Sequence, residues 1–95
     1  MKESQFQKKL INKLKIIFPD CVIMKQDAKY NQGIPDLVIF YKEKYAMLEV
    51  KQSATANHQP NQDYYIQKFN NWSYASFVYP ENLDVVLKDL QEVFK

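Results

Sequence analysis

GIPDLVIFYKEKYAMLEVK, residues 33–51, carries the strongest secondary-structure signal in this chain. Two apolar segments, 36–41 and 45–51, flank the polar residues 42–44. Short segments rich in Val, Ile, Tyr and Phe that are joined by a polar turn are typical of a β-hairpin. The stretch therefore predicts two paired strands at the centre of the fold.

The residues before this hairpin predict a helix and then a strand. Residues 2–18 carry apolar side chains at the spacing of one helix face, namely Phe6, Leu10, Leu14 and Ile17. Pro19 ends this helix because the residue before a proline avoids the helical region. The apolar segment 21–24 predicts a strand, and the polar segment 27–35 predicts a loop.

The residues after the hairpin predict two further helices with a strand between them. Residues 52–59 are small and polar, which indicates a loop. A helix is predicted from 60 to about 71, with a proline in its first turn, where the missing N–H costs nothing. Residues 75–79 predict a strand, and 81–94 predict a final helix.

The resulting order, α-β-β-β-α-β-α, predicts an α/β (α+β) fold with a mixed four-stranded sheet flanked by helices. The chain has 95 residues, of which 46% are hydrophobic, so we expect a single domain spanning 1–95. The lone Cys21 excludes an intramolecular disulfide, and we expect it to be buried. No segment approaches the length of a membrane span, and the polar N-terminus does not resemble a signal peptide, so we expect a cytoplasmic protein.

Positive charge is concentrated in the first third of the chain. The net charge is +2, and residues 1–30 contain seven lysines against three acidic residues. This region either faces phosphates or forms an ordinary solvated helix face, and charge alone favours the solvated face. All 13 basic residues are lysines. Because the chain has no arginine, no guanidinium group is available to form paired hydrogen bonds with guanine. This favours recognition of the DNA backbone or shape over recognition of the base sequence.

The end of the third predicted strand places a carboxylate and an amine on one face. Because strand side chains alternate, Glu49 and Lys51 share a face with residues 45 and 47. Considered alone, Glu49-Val50-Lys51 fits an ordinary strand end, where polarity resumes before a loop, better than a catalytic feature.

Asp36 opens the neighbouring strand and adds a second carboxylate. Counting back from the turn, Tyr41 pairs near Tyr45 and Asp36 lies near Val50, which brings Asp36 and Glu49 within reach of one metal ion. Two carboxylates without histidine or cysteine favour a hard cation such as Mg²⁺. A nearby lysine is suited to orienting or deprotonating a water that attacks a phosphodiester.

Pro35-Asp36, a gap of twelve residues and then Glu49-Val50-Lys51 resemble the motif of the PD-(D/E)XK nuclease superfamily. The predicted αβββαβ order over residues 2–79 matches its restriction-endonuclease-like core, with an extra C-terminal helix. Residues 33–37 resemble the VRR-NUC type in particular, which is related to Holliday-junction resolvases. The resemblance implies Asp36, Glu49 and the Val50 carbonyl as metal ligands and Lys51 as a catalytic residue, with Mg²⁺ as the cofactor and Mn²⁺ as a substitute.

Two further positions match this family. Glu3 fits a first-helix glutamate that helps to bind metal, and its spacing to Phe6 and Leu10 predicts an inward position. Gln62 fits a catalytic glutamine in the helix after the third strand. The alternatives are a favourable acid in a first helical turn for Glu3 and a partly exposed first-turn residue for Gln62.

The candidate nucleic-acid-binding residues are Lys25, Lys29 and His58. The alternatives are that the two lysines are only solvated and that His58 is an ordinary loop residue. Three aromatic residues could stack on bases, with packing the favoured reading for most of them: Tyr64, Tyr65 and Trp72.

The resemblance implies a metal-dependent DNA endonuclease of a bacterial or phage-infected cell. The chain shows no added recognition domain, which favours branched or Holliday-junction DNA over a specific sequence. Cutting both strands of a junction requires two active sites, so we expect a homodimer. A non-catalytic nucleic-acid- or protein-binding module on the same fold is the alternative, and a structural or inhibitory phage protein is a third possibility.

Overall fold

The first half of the protein forms one helix and an antiparallel β-meander. The computed structural model describes residues 1–27 and 29–95, so Ala28 of the predicted loop 27–35 lies outside the described residues. The elements in this half are α1 (Glu3–Ile17), β1 (Val22–Lys25), β2 (Leu37–Tyr41) and β3 (Lys44–Val50).

The second half adds a crossover helix, a parallel strand and a terminal helix. Its elements are α2 (Gln62–Trp72), β4 (Tyr74–Val78), a 3₁₀ turn (Pro80–Asn82) and α3 (Leu83–Val93). Within the described residues, one sheet has the order β1-β2-β3-β4, in which β3 and β4 are parallel and the other neighbours are antiparallel. The predicted α+β class, with a mixed four-stranded sheet flanked by helices, is therefore confirmed.

Helices α1 and α3 pack against one face of the sheet and form the main core. Alternation along β3 sends Ala46, Leu48 and Val50 to this face. The helices supply the other apolar side chains, among them Phe6, Leu10, Leu14, Val86, Leu90 and Phe94. Helix α2 lies on the opposite sheet face, where its buried Phe69 and Gln62 meet the side chains that β3 sends the other way.

Several element boundaries differ from the sequence prediction by one or two residues. Strands β1 and β4 are each displaced by one position. Helix α2 begins at Gln62 because Asn61 has a φ of 73°, which does not fit a right-handed helix. Helix α3 begins at Leu83, since the preceding residues form the 3₁₀ turn. Cys21 is half-buried and not fully buried as expected.

The hairpin turn is tighter than the sequence prediction. Lys42 and Glu43 both have positive φ, 50° and 67°, as in a two-residue type I′ turn, and β3 therefore begins at Lys44. Tyr41 pairs with Lys44, so the predicted pairing of Tyr41 with Tyr45 was wrong by one residue. Continuing this register past Leu37 and Leu48 places Asp36 opposite Glu49.

No helix in the described part of the chain is long and apolar enough to cross a membrane.

Candidate active site

The hairpin register brings the two acidic residues of the motif side by side. Leu37 pairs with Leu48, and Asp36 lies immediately before this pair. The Asp36 Oδ2 accepts a hydrogen bond of 2.9 Å from the Val50 backbone N–H. This bond fixes the carboxylate at the end of β3, beside Glu49.

Glu49 is a buried carboxyl group with incomplete hydrogen bonding. Only 4% of the surface of this residue is exposed. The Gln62 Nε2 donates a hydrogen bond of 3.1 Å to Glu49 Oε2. Among the residues that the structure describes, Glu49 Oε1 is buried and has no hydrogen-bond partner. Because a buried oxygen without a partner is costly, this atom favours either a proton on Glu49 or a bound cation.

The environment of Glu49 stabilises its neutral form. Burial raises the pKa of Glu49 to about 8, and the negative charge of the adjacent Asp36 adds to the rise. The Lys51 ammonium opposes the shift but does not cancel it. The electrostatic surroundings of this pair therefore favour one proton, or one cation, between the carboxyl groups.

The orientation of the Gln62 amide is fixed by the loop before α2. The Gln59 backbone N–H donates a hydrogen bond of 2.8 Å to Gln62 Oε1. With its oxygen engaged in this way, the amide presents its NH₂ group to Glu49. Gln62 is buried, so the alternative of a partly exposed first-turn glutamine does not describe this side chain.

Lys51 is buried beside the carboxyl pair and is held by the loop that follows β3. Its Nζ donates a hydrogen bond of 3.0 Å to the Asn57 carbonyl oxygen. Its backbone N–H donates to the Val78 carbonyl oxygen at 2.9 Å, which continues the pairing of β3 with β4. A charged lysine that is only 6% exposed needs such partners, and its position explains its effect on Glu49.

The carboxyl pair opens into a cleft of about 420 Å³. Its walls come from the loop before β2, the end of β3 and the start of α2. The lining residues are Lys29, Gln32, Gly33, Ile34, Asp36, Glu49, Gln59 and Gln62.

Gly33 allows the loop before β2 to pass close to the start of α2. Its φ is +90°, and a Cβ at this position would lie 2.7 Å from both the Asn61 Cβ and the Pro60 carbonyl oxygen. A side chain would therefore be strained by its own backbone and would collide with its neighbours. The glycine holds together the two segments that carry Asp36 and Gln62.

We expect Gly33→Ala to lower the free energy of unfolding by about 2 kcal/mol or more, because it combines a left-handed backbone with a steric clash. Urea unfolding followed by circular dichroism measures this loss. The exposed neighbour offers a control, Gln32→Ala, which should change stability by less than about 0.5 kcal/mol. Equal stability of the two variants would contradict the role given to Gly33.

The remaining predicted site residues lie at different distances from this centre. Glu3 is exposed, so its predicted inward position was wrong: the buried stripe of α1 starts one turn later, at Phe6. Within the described residues, no group of three or more His, Cys, Asp and Glu side chains is placed to hold a metal ion. The metal-binding roles of Glu3 and of the Val50 carbonyl stay predictions.

The candidate nucleic-acid contacts are separated by the fold. Lys29 lines the cleft. Lys25 pairs with Leu37, and since cross-strand partners share a sheet face, it lies on the face opposite to Glu49. His58 stacks on Phe77 with ring centroids 4.1 Å apart, and its position lies outside the cleft lining.

His58 also forms a hydrogen bond through Nδ1 with Asp63 Oδ1, at 2.9 Å. These contacts attach the loop 52–59 to the start of α2 and to β4. Because Asn57 belongs to this loop, the packing of His58 supports the carbonyl that holds Lys51.

Sequence reasoning missed the backbone groups of Asn57 and Gln59 that orient Lys51 and Gln62. Every residue carries an N–H or a C=O, so no residue type signals these contacts.

No protein-family model matches this sequence, and a search of curated proteins likewise returns no match. The functional argument therefore rests on the geometry of the site.

Proposed function

We propose that this protein is a metal-dependent DNA endonuclease of the PD-(D/E)XK type, similar to the VRR-NUC nucleases. The observation that carries the proposal is the pairing of Asp36 with a buried Glu49 whose Oε1 has no hydrogen-bond partner in the described part of the chain. Lys51 and Gln62 lie around the same carboxyl group. The arrangement of β1, β2, β3, α2 and β4 is compatible with the αβββαβ core of that superfamily.

The chemistry of these ligands fits a hard divalent cation. Asp36 and Glu49 offer carboxylate oxygens, and the cleft is open enough for waters to complete the coordination, which suits Mg²⁺ or Mn²⁺. When bound, such a cation activates water and polarises the phosphodiester. The Val50 carbonyl and, through water, Glu3 are the further ligands in this proposal.

The protein side chains have distinct tasks in this proposal. Lys51 supplies positive charge close to the scissile phosphate and orients the attacking water. Gln62 holds Glu49 in place through its NH₂ group, while Gln59 fixes the amide. Asp36 depends on the Val50 N–H for its orientation. Each polar group thus acts from a position that the fold defines before substrate binds.

The proposed substrate is branched DNA, including Holliday junctions, bound by a homodimer that brings two such sites together. The test is incubation of purified protein with labelled junction, flap and linear DNA, with Mg²⁺, with Mn²⁺ and with EDTA. We expect cleavage that requires the metal and favours the branched substrates. Metal-independent binding without hydrolysis of any substrate would instead support the non-catalytic binding module.

Lys29 is the lysine of the cleft lining and gives a separate prediction about binding. We expect Lys29→Ala to weaken DNA binding. We also expect the negative slope of log K against log salt to become less steep by about 0.7 to 0.9, the value for one phosphate contact. Fluorescence anisotropy in EDTA at several salt concentrations measures this slope. Lys88→Ala, on the exposed side of α3, is the matched control and should keep the parental slope. If Lys29→Ala keeps the slope of the parent protein, Lys29 does not contact a DNA phosphate.

A further inference from the structure

A second cavity, of about 320 Å³, lies beside the cleft and is almost entirely apolar. We call it the aromatic groove. It is formed by the first three strands and α2, and its lining residues are Met24, Gln26, Val38, Phe40, Tyr45, Met47, Phe69 and Trp72.

The strands carry the cleft and the aromatic groove on the same sheet face. Asp36 and Val38 are two residues apart, as are Glu49 and Met47, so each pair points to one side of the sheet. Val38 and Met47 are direct cross-strand partners. Because two strand residues span about 7 Å, the groove begins about 7 Å from the carboxyl pair.

Helix α2 provides the other wall of both cavities. Gln62 faces the cleft and Phe69, two turns later, faces the groove. Seven helical residues span about 10 Å. The cleft and the groove therefore follow one another between the strands and α2, with the carboxyl pair at the polar end and Trp72 at the apolar end.

Three of the large apolar side chains that line the groove are exposed. Trp72 is 64% exposed, Met24 is 53% exposed and Phe40 is 42% exposed. Contiguous exposed apolar surface on a small protein marks a binding site more often than scattered single residues do. Trp72 is therefore not part of the buried core, and most of this residue is accessible to a partner.

The charge around the groove suits a phosphate chain. Within the described residues, none of the side chains that line the groove is acidic. The Lys68 Nζ lies 5.5 Å from the centre of the Trp72 ring, and Lys29 lines the adjoining cleft. Aromatic side chains interleaved with lysines are the arrangement by which proteins hold single-stranded nucleic acid.

We propose that the aromatic groove binds the unpaired bases of a nucleic-acid strand whose backbone enters the cleft at Asp36 and Glu49. The inference rests on the proposed nuclease function and specifies its substrate as DNA with unpaired nucleotides beside the scissile phosphate. At about 3.4 Å per stacked nucleotide, the distance from the carboxyl pair to the groove corresponds to about two or three nucleotides. The groove has the volume of a small-ligand site.

Trp72 is the single tryptophan of the chain, so its fluorescence reports directly on the groove. The probes are a ten-nucleotide oligothymidine and an abasic strand of the same length, both in EDTA to prevent hydrolysis. We expect oligothymidine to quench the fluorescence and the abasic strand to leave it nearly unchanged. Equal quenching by the two strands, or none by either, would overturn the proposal, because backbone contact would then account for all binding.

Substitutions then test whether the stacking carries binding energy. We expect Trp72→Ala to weaken oligothymidine binding by about 5- to 150-fold in anisotropy measurements, the loss that corresponds to one stacked base. Trp72→Phe should retain most of the affinity. Phe40→Ala is a second variant for the case that Trp72→Ala fails to fold, and Val85→Ala, exposed on α3, is the control. Unchanged affinity in both groove variants would show that the bases do not bind in the groove.

Sedimentation in the same buffer tests a second copy of the chain as the occupant. A dimer that is disrupted by Phe40→Asp, together with oligothymidine that leaves the fluorescence unchanged, would assign the groove to self-association and overturn the proposal. Base-dependent quenching without metal-dependent cleavage would refute the nuclease function and leave the groove assignment intact. Cleavage that depends on Asp36, together with equal binding of abasic and oligothymidine strands, would support the nuclease function and refute the groove assignment.

Discussion

Asp36→Asn is expected to reduce Mg²⁺-dependent DNA cleavage by at least about 100-fold while leaving the protein folded. The substitution removes one of the two charges that would hold the cation. The amide oxygen of asparagine can still accept the hydrogen bond that Asp36 Oδ2 receives from the Val50 N–H at 2.9 Å. The loss therefore concerns metal affinity and not the architecture of the hairpin.

A comparison with Asp36→Ala separates these two effects. Alanine removes the acceptor as well as the charge, and we expect it to cost a further 1 to 2 kcal/mol of stability, roughly the cost of an unsatisfied backbone donor. Cleavage of labelled DNA and urea unfolding are measured on both variants. Asp84→Asn, exposed in the first turn of α3, is the control and should cut as the parent does. Parental cleavage by Asp36→Asn would refute the catalytic assignment.

The central hairpin was predictable because its residues repeat a simple pattern. Alternation along β3 correctly separated Ala46, Leu48 and Val50 from the face that carries Glu49. The exact register was not predictable, because Lys42 and Glu43 adopt positive φ without the asparagine or glycine that usually signals a type I′ turn. This two-residue turn displaces the pairing by one residue.

The carboxyl pair and its two polar neighbours were predictable for a related reason. Strand geometry and hairpin pairing place Asp36 beside Glu49, and Gln62 then falls on the inward side of α2. The position of Glu3 was not predictable from helix periodicity alone. Periodicity defines a face, but the extent of the sheet beneath that face decides which turns of the helix are covered, and the first turn of α1 is exposed.

Glu49→Gln is expected to remove both cleavage and a distinctive dependence of stability on pH. In the metal-free folded protein the pKa of Glu49 is raised to about 8, mainly by burial and then by Asp36, from an ordinary value of 4.5. Below pH 4.5 both the folded and the unfolded states hold this proton. Between 4.5 and about 8 the unfolded chain has released it while the folded protein retains it. Because the folded state then binds more protons, the free energy of unfolding falls as the pH rises.

The size of this effect is bounded by the linkage relation. One group contributes at most about 1.4 kcal/mol per pH unit, and its contribution levels off above the folded-state pKa. The parent should therefore lose a few kcal/mol relative to Glu49→Gln between pH 5 and pH 9. Glutamine has nearly the same shape and can accept the hydrogen bond from the Gln62 Nε2, so the difference between the two proteins isolates the ionisation of Glu49.

Urea unfolding of both proteins across this pH range measures the difference, and added Mg²⁺ provides an independent second measurement. A cation that binds ionised Glu49 stabilises the folded parent according to its concentration relative to Kd, and this gain should increase with pH up to about 8. Glu49→Gln should show little stabilisation at any pH, because it lacks the charge that the cation requires. Parallel pH profiles for the two proteins would show that Glu49 is not held neutral. Equal stabilisation by Mg²⁺ would place the cation elsewhere.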